Sequence, residues 1–293
     1  MSSPQQISHV SDTAHWVAVY RAMESERPDA LFRDPYAKRL AGERGEAIVR
    51  ALPRGRSWDW PMIVRTAVMD EILLRAIARD GVRTVVNLAA GLDARPYRLE
   101  LPRTLRWIDV DLPAIQGYKR DALSGETARC ALEWAPADLS DAAQRRDVLR
   151  HVAAGPGPAL AITEGLLIYL ESDQVAALAR DLHGCSPLAW WLMDLATPRL
   201  LKLMARTWGK SVERSAPFRF APPEGTAFFG PAGWREAEFR SMWEESLRLK
   251  RTMPLAGFWN LVGKLYPKKT REEMRRMSGI VLLGRADKGG MRP

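Results

Sequence analysis

Long apolar runs are missing from this chain of 293 residues. Nowhere does the sequence approach the roughly eighteen consecutive apolar residues of a membrane span, so no membrane partner is expected. The opening segment MSSPQQISHVSD has no apolar core, so no secretory signal is expected. Cysteine is nearly absent: Cys130 and Cys185 lie far apart, which reads as two free thiols in a reducing cytoplasm. Histidine is also scarce, and His9, His15, His151 and His183 share no ligand spacing with one another or with the cysteines. No metal site is therefore expected. The sequence has no G-x-S-x-G elbow and no Walker loop, internal repeat or low-complexity tract. It also lacks an Asn/Asp-Pro-Pro-aromatic tetrapeptide of the kind that nucleic-acid methylation would use.

What the chain has in excess is positive charge, a formal +9. Its arginines are scattered rather than gathered in one stretch. That pattern predicts a solvated basic surface, and a nucleic-acid partner is not expected. The basic run from Lys264 to Arg276 reads as a solvated face, with docking of an acidic carrier protein as the sharper alternative. Tryptophan is abundant, at eleven residues. Most read as packing residues, while Trp58, Trp60 and Trp208 fall in loop-like or inserted segments and are candidates for an aromatic substrate pocket.

The most informative stretch is Arg83 to Leu99, RTVVNLAAGLDARPYRL. Arg83 to Leu88 predicts a short buried strand, and Ala89-Ala90-Gly91 is a turn of small residues where a backbone can approach a ligand closely. Arg106 to Asp111, RWIDVD, predicts a second strand that closes on Asp109 and Asp111. An acid in that position commonly holds ribose hydroxyls. With one glycine in the turn, pyrophosphate binding is disfavoured, and a nicotinamide dehydrogenase fits poorly. A nucleoside ligand without phosphate, such as S-adenosylmethionine, fits better.

Around this core the pattern alternates strand and helix. Helices are predicted over Asp12–Glu24, to about Ala41, over Pro61–Asp80 with Gly81 past its end, over Asp141–Val152, and over Ser172–Leu182 with Ser172 as its cap. Gly42 to Gly55 reads as a loop around a short helical piece. Strands are predicted over Ala128–Leu139, Ala159–Leu170, Leu188–Leu195 and Ser278–Arg285. Their hydrophobicity is continuous rather than alternating, as in a parallel sheet covered on both faces. Gly233 to Ser246 reads as a helix. Thr197 to Pro223 breaks the alternation and reads as an insertion over the strand ends. The organisation expected is a single domain: an N-terminal helical cap (1–80), a core (81–196), a lid (197–230) and the rest of the sheet (231–293). Glu164, inside an apolar run, needs a partner or a strand end. Arg65, near a helix N-terminus, suits a bidentate carboxylate. Asp138, after the third strand, is placed to meet a base edge.

Taken together, these pieces resemble the leucine carboxyl methyltransferase family, including its bacterial members that act on polyketides and other small molecules. The matching residues are Thr13-Ala14 with Trp16, Arg21-Ala22, Asp34-Pro35-Tyr36-Ala37, Arg65-Thr66 with Asp70, and the Val85–Leu99 block. They continue with Ile108 to Pro113, Ala137-Asp138-Leu139, Thr163 to Leu166 with Tyr169-Leu170, and Gly233-Trp234. The resemblance implies a Rossmann-like class I α/β fold, with a mostly parallel seven-stranded sheet, helices on both faces and a helical insertion after the fifth strand. It implies S-adenosylmethionine as cofactor and O-methyl transfer to a small-molecule acceptor, either a carboxylate or a phenol. By family pattern Arg65 would hold the methionine carboxylate and Glu164 its amino group, with Ala89, Ala90 and Gly91 alongside. Asp111 would bind the ribose with Asp109 nearby, and Asp138 and Leu139 would contact adenine. Tyr169 is the candidate catalytic side chain should a phenol or alcohol need a base. A non-catalytic protein that binds the same cofactor is the alternative. Ala89 stands where the family has glycine, and a negative φ is expected there.

Overall fold

The computed structural model describes residues 12–51, 59–204 and 217–286. Trp58, Trp208 and His9 fall outside them, as does 205–216 within the expected lid. Seven strands form one sheet in the order β3-β2-β1-β4-β5-β7-β6. They are β1 (Thr84–Leu88), β2 (Arg106–Asp111), β3 (Ala131–Pro136), β4 (Ala159–Thr163), β5 (Leu188–Ala196), β6 (Trp234–Ser241) and β7 (Ser278–Arg285). The first five are parallel, and β7 runs antiparallel between β5 and β6. The order reverses between β1 and β4. At such a point the connections leave in opposite directions and open a crevice at the carboxyl ends of the strands.

The strand residues explain why both faces are covered. Every residue of β1 is buried, and neighbouring side chains point to opposite faces. Val86, Ile108 and Trp191 pack with Val148, Val175 and Leu178 on one side. Val85, Trp107 and Leu192 pack with Val64, Val68 and Leu73 on the other. Each large side chain buried this way contributes about 1.5–3 kcal/mol. The first layer rests on α6 (Ala142–Ala153) and α7 (Ser172–Gly184), and the second on α3 (Trp60–Arg79) and α8 (Met242–Arg248). A third cluster, with Trp16, Tyr20, Leu40 and Val49, joins α1 (Asp12–Ser25) to α2 (Ala37–Ala51) and seats both against Tyr97 and Ile115. Ile115 lies in α5 (Pro113–Ala122), which follows β2. No described helix is long and apolar enough to cross a membrane.

Several boundaries differ from the sequence reading. The strand expected over Ala159–Leu170 stops at Thr163, because Gly165 turns the chain at φ +63° into a short 3-10 helix. Gly42 to Gly55 is helical to Ala51, with a kink at Gly42. Glu171, not Ser172, precedes α7, and Gln174 Oε1 accepts its N–H at 2.8 Å. Gly233 to Ser246 is mostly strand β6, followed by α8. WREAEFRS carries charges that suit a solvated sheet edge, and a register shift between Glu236 and Glu238 blurs its alternation.

Candidate active site

At the crevice, α3 presents Arg65 in its second turn toward the carboxyl ends of β4 and β5. Glu164 is the first residue beyond β4, and Asp194 lies near the end of β5. Arg65 Nε donates to Glu164 Oε1 at 3.0 Å, and Nη1 reaches Asp194 Oδ2 at 3.4 Å. Asp194 is held in turn by the Gly165 N–H at 2.7 Å. A Cβ at residue 165 would sit 3.2 Å from the Arg65 guanidinium, so glycine there keeps the arginine in place. Burial pulls the Arg65 pKa down, but Glu164 and Asp194 outweigh it and hold it above the usual arginine value.

A second arginine completes the network. Arg95, in α4 (Arg95–Arg98), is 2% exposed. It donates to Asp70 at 2.6 Å, Asp93 at 2.8 Å and Glu164 at 2.7 Å. Burial alone would raise the carboxylates. The nearby guanidinium groups outweigh it and hold Asp93 and Glu164 below the ordinary range, so both stay ionised. Glu164 thus satisfies the sequence expectation of both a partner and a strand end.

The turn after β1 forms the next wall. Gly91 N–H donates to Asp111 Oδ2 at 2.6 Å, and Leu112 N–H to Asp111 Oδ1 at 2.7 Å. These bonds fix the carboxylate at the cavity edge, where burial raises its pKa. Asp111 Oδ1 and Oδ2 each keep a lone pair for a ligand donor. Ala89 has φ +55° and Gly91 φ +51°. The negative φ expected for Ala89 is therefore overturned, since the turn bends left-handed at both positions to bring its backbone over the strand ends. Asp138 follows β3 and is fixed by Ser140, whose N–H and hydroxyl donate to it at 2.9 and 2.7 Å.

These groups surround one cavity of about 500 Å³, within the ~300–1,000 Å³ range of small-molecule sites. Arg65, Ala89, Ala90, Gly91, Asp111, Asp138, Leu139, Glu164 and Tyr169 all line it. Asp109 does not, which corrects its expected place beside the ribose site. Its side chain is fully buried, with Lys119 Nζ at 2.6 Å and Trp107 Nε1 at 2.8 Å. The two acids share a face of β2; Asp109 lies inside the strand under Lys119, and Asp111 is the one that reaches its end. Tyr169 packs 5.9 Å from Phe218, centroid to centroid. Burial raises its pKa, against the lowering effect of Thr13 and Arg65, so at neutral pH the phenol is a donor and not a base.

Sequence reading missed Asp194, Asp93 and Arg95 as cavity residues. Asp194 had the signal already used for Glu164, an acid in an otherwise apolar strand, LAWWLMDLA. Trp60 lines the cavity as expected, and its buried Nε1 has no partner among the described residues. Much of the remaining wall is apolar and rich in methionine, including Met62, Met204, Met242, Met253 and Met277. Among the described residues no three His, Cys, Asp or Glu side chains form a metal-binding group.

Comparison with known proteins agrees with this arrangement. The family model for leucine carboxyl methyltransferase matches residues 14–183, more than half of the chain. A relative from a Parafrankia species is 32% identical over 279 residues, covering 85% of this chain and 86% of that protein. One from Saccharopolyspora erythraea is 34% identical, covering 80% and 88%. One from Frankia alni is 39% identical over 195 residues, and the match spans 61% of this chain and 66% of that relative's length. All three carry the provisional name S-adenosyl-L-methionine-dependent methyltransferase. A crystal structure of a DUF574 family protein from Streptomyces avermitilis superposes with a TM-score of 0.58 at 14% identity, covering 97% of this chain and all of that one. That likeness is one of fold, and the family model and the relatives carry the assignment: the chain belongs to the leucine carboxyl methyltransferase family.

Proposed function

We propose that this protein is an S-adenosylmethionine-dependent O-methyltransferase whose acceptor is the carboxylate of an apolar small molecule, such as a polyketide or related secondary metabolite. The observation that carries the reading is the pairing, across one cavity, of Arg65 with its acids at one wall and Asp111 with its backbone donors at another. The names of the relatives support the cofactor. When bound, S-adenosylmethionine supplies an electrophilic methyl group.

Arg65 would hold the methionine carboxylate, because its Nη2 makes no hydrogen bond among the described residues and the group stays charged. Glu164 stays ionised and would attract the amino group. Asp111, with both oxygens fixed by N–H donors, would accept from the ribose diol. Asp138 and Leu139 stand where the adenine would lie. No phosphate is addressed anywhere in this set, which suits an adenosyl ligand without one.

A carboxylate acceptor is supported by the lack of a histidine base among the described residues that line the cavity. His15 Nδ1 donates to Ala41 O, His151 sits with Glu133, and His183 packs on Trp234, so none of the described histidines faces the cavity. Tyr169 stays protonated. A carboxylate arrives already ionised and needs only alignment and exclusion of water. The Trp60 N–H, buried and unpartnered, would donate to one acceptor oxygen, and the methionine wall would adapt to an apolar body. Both described cysteines are free and buried, in keeping with the cytoplasmic setting this reading takes. The test is labelled methyl transfer to a panel of apolar carboxylic acids and phenols. Label released from the acids by mild alkali supports the reading. Transfer to phenols alone, as alkali-stable ethers, overturns the acceptor class.

A further inference from the structure

Between Met253 and Met274, both of which line the cavity, the chain leaves the body of the protein and carries large apolar side chains that no described residue covers. Leu255, Phe258, Trp259, Leu261, Leu265 and Tyr266 are 73%, 58%, 52%, 63%, 84% and 46% exposed. In α9 (Ala256–Gly263) only Ala256 is buried, and in α10 (Lys268–Arg275) no residue is. At about 100° per residue, Phe258, Trp259, Leu261 and Val262 share an arc of roughly 160°. A monomeric protein rarely shows so many large apolar side chains side by side without a partner.

Cations follow directly. Lys264, Lys268, Lys269 and Arg271 are exposed, and none forms an ion pair with a described residue. The acids of the same stretch are Glu272, held by Arg275 at 2.8 Å, and Glu273. The basic run taken from the sequence as a solvated face is thus the flank of an apolar ridge. Phe, Trp, Leu and Tyr beside unpaired Lys and Arg is the chemistry of a helix lying in an anionic membrane interface: rings and aliphatic groups enter the headgroup layer, and cations meet lipid phosphates. A second copy fits worse, because a two-fold contact would bring the same cations against themselves. An acidic carrier would meet the cations and leave the ridge wet.

We propose that residues 255–271 dock this protein on an anionic lipid bilayer. Because Met253 and Met274 stand at the two roots of the ridge and both line the cavity, docking turns the cavity toward the bilayer, where an apolar acceptor would be dissolved. That corollary rests on the methyl-transfer reading; docking itself does not.

The experiment is flotation of the full-length protein with vesicles of phosphatidylcholine alone and of phosphatidylcholine with phosphatidylglycerol, at low and high salt. The protein is expected to float with the anionic vesicles, less so at high salt. The Phe258→Ser/Trp259→Ser variant is expected to lose about ten-fold or more in partitioning. Lys268→Gln/Lys269→Gln is expected to lose about five-fold per lysine. S-adenosylhomocysteine titration of each variant should match the parent protein, showing that the fold is intact. No flotation with either vesicle overturns the proposal, as does flotation that the Phe258 and Trp259 changes leave unaltered. A concentration-dependent dimer abolished by those changes, without flotation, gives the ridge to a second copy instead. Flotation without cofactor binding would defeat the transferase reading alone, and cofactor binding without flotation would defeat docking alone.

Discussion

Replacing Ala89 with glycine should stabilise the protein, and the size of the gain can be worked out from the backbone. Ala89 sits at φ +55°, where its Cβ crowds the following carbonyl oxygen. That conformation costs an L-residue about 1–2 kcal/mol. Glycine removes the cost but loses about 0.4–1 kcal/mol through the extra freedom of its unfolded chain. The net gain is about 0.5–1 kcal/mol. Unfolding entropy near 2.1 cal/mol/K per residue gives about 0.6 kcal/mol/K for this chain, so Tm should rise by roughly 1–2 °C. Scanning calorimetry of the two proteins without ligand measures it. The control is Gly91→Ala, at φ +51°, where a new Cβ would also stand 3.1 Å from Ala14 Cβ in α1. It should lower Tm. A fall in Tm for Ala89→Gly, or a rise for Gly91→Ala, would refute the left-handed turn and with it the placement of the backbone over the strand ends.

Asp109→Asn leaves the buried Lys119 ammonium without its counter-charge, and should cost about 3–5 kcal/mol, or roughly 5 °C or more of Tm. Asp111→Asn, which turns an amide NH2 toward one of the two N–H donors, should cost a smaller ~1–3 kcal/mol and weaken S-adenosylhomocysteine binding in calorimetry. Equal effects of the two changes would contradict their separate roles. Tyr169→Phe should keep methyl transfer to carboxylates within about ten-fold of the parent rate, since a base would contribute about 10²–10⁴-fold; a loss in that larger range would make the phenol a base after all. Asp93 and Glu164 have folded pKa values below their unfolded ones, so the stability they contribute is present above the ordinary carboxylate range and lost as pH falls through the lowered values. Tm should hold from neutral pH to about pH 5 and fall below about pH 4. Glu164→Gln should make that fall shallower and lower Tm at neutral pH, and an unchanged acid slope would count against the network.

The core was legible wherever one local rule decided the structure. RTVVNL and RWIDVD are short, apolar and β-branched or aromatic, and their small-residue turn and terminal acid identified the crevice before the strand order was visible. Parallel pairing followed from continuous hydrophobicity. Glu164 stood out as a charge in an apolar run, although the strand itself ends one residue earlier, at Gly165's left-handed turn. Decisions that depend on long-range contacts were not legible. Asp109 and Asp111 look alike in sequence and share a face of β2, and only their distance from the strand end and Lys119 separate the core acid from the cavity acid. WREAEFRS reads as helix until β7 pairs with it. Ala89 adopts positive φ because the turn around it requires that path, against the preference of its own side chain. The methionine wall joins residues from the N-terminal helices, the insertion and the C-terminal segment, which no single window of sequence brings together.

The central claim is that the cavity binds an adenosyl ligand between Arg65 and Asp111. Isothermal titration of the purified protein with S-adenosylhomocysteine tests it most directly. The account predicts one site with a dissociation constant of about micromolar order, weakened ten-fold or more by Arg65→Met. Absence of any heat with S-adenosylhomocysteine or S-adenosylmethionine, from a protein whose thermal transition shows it folded, would contradict it.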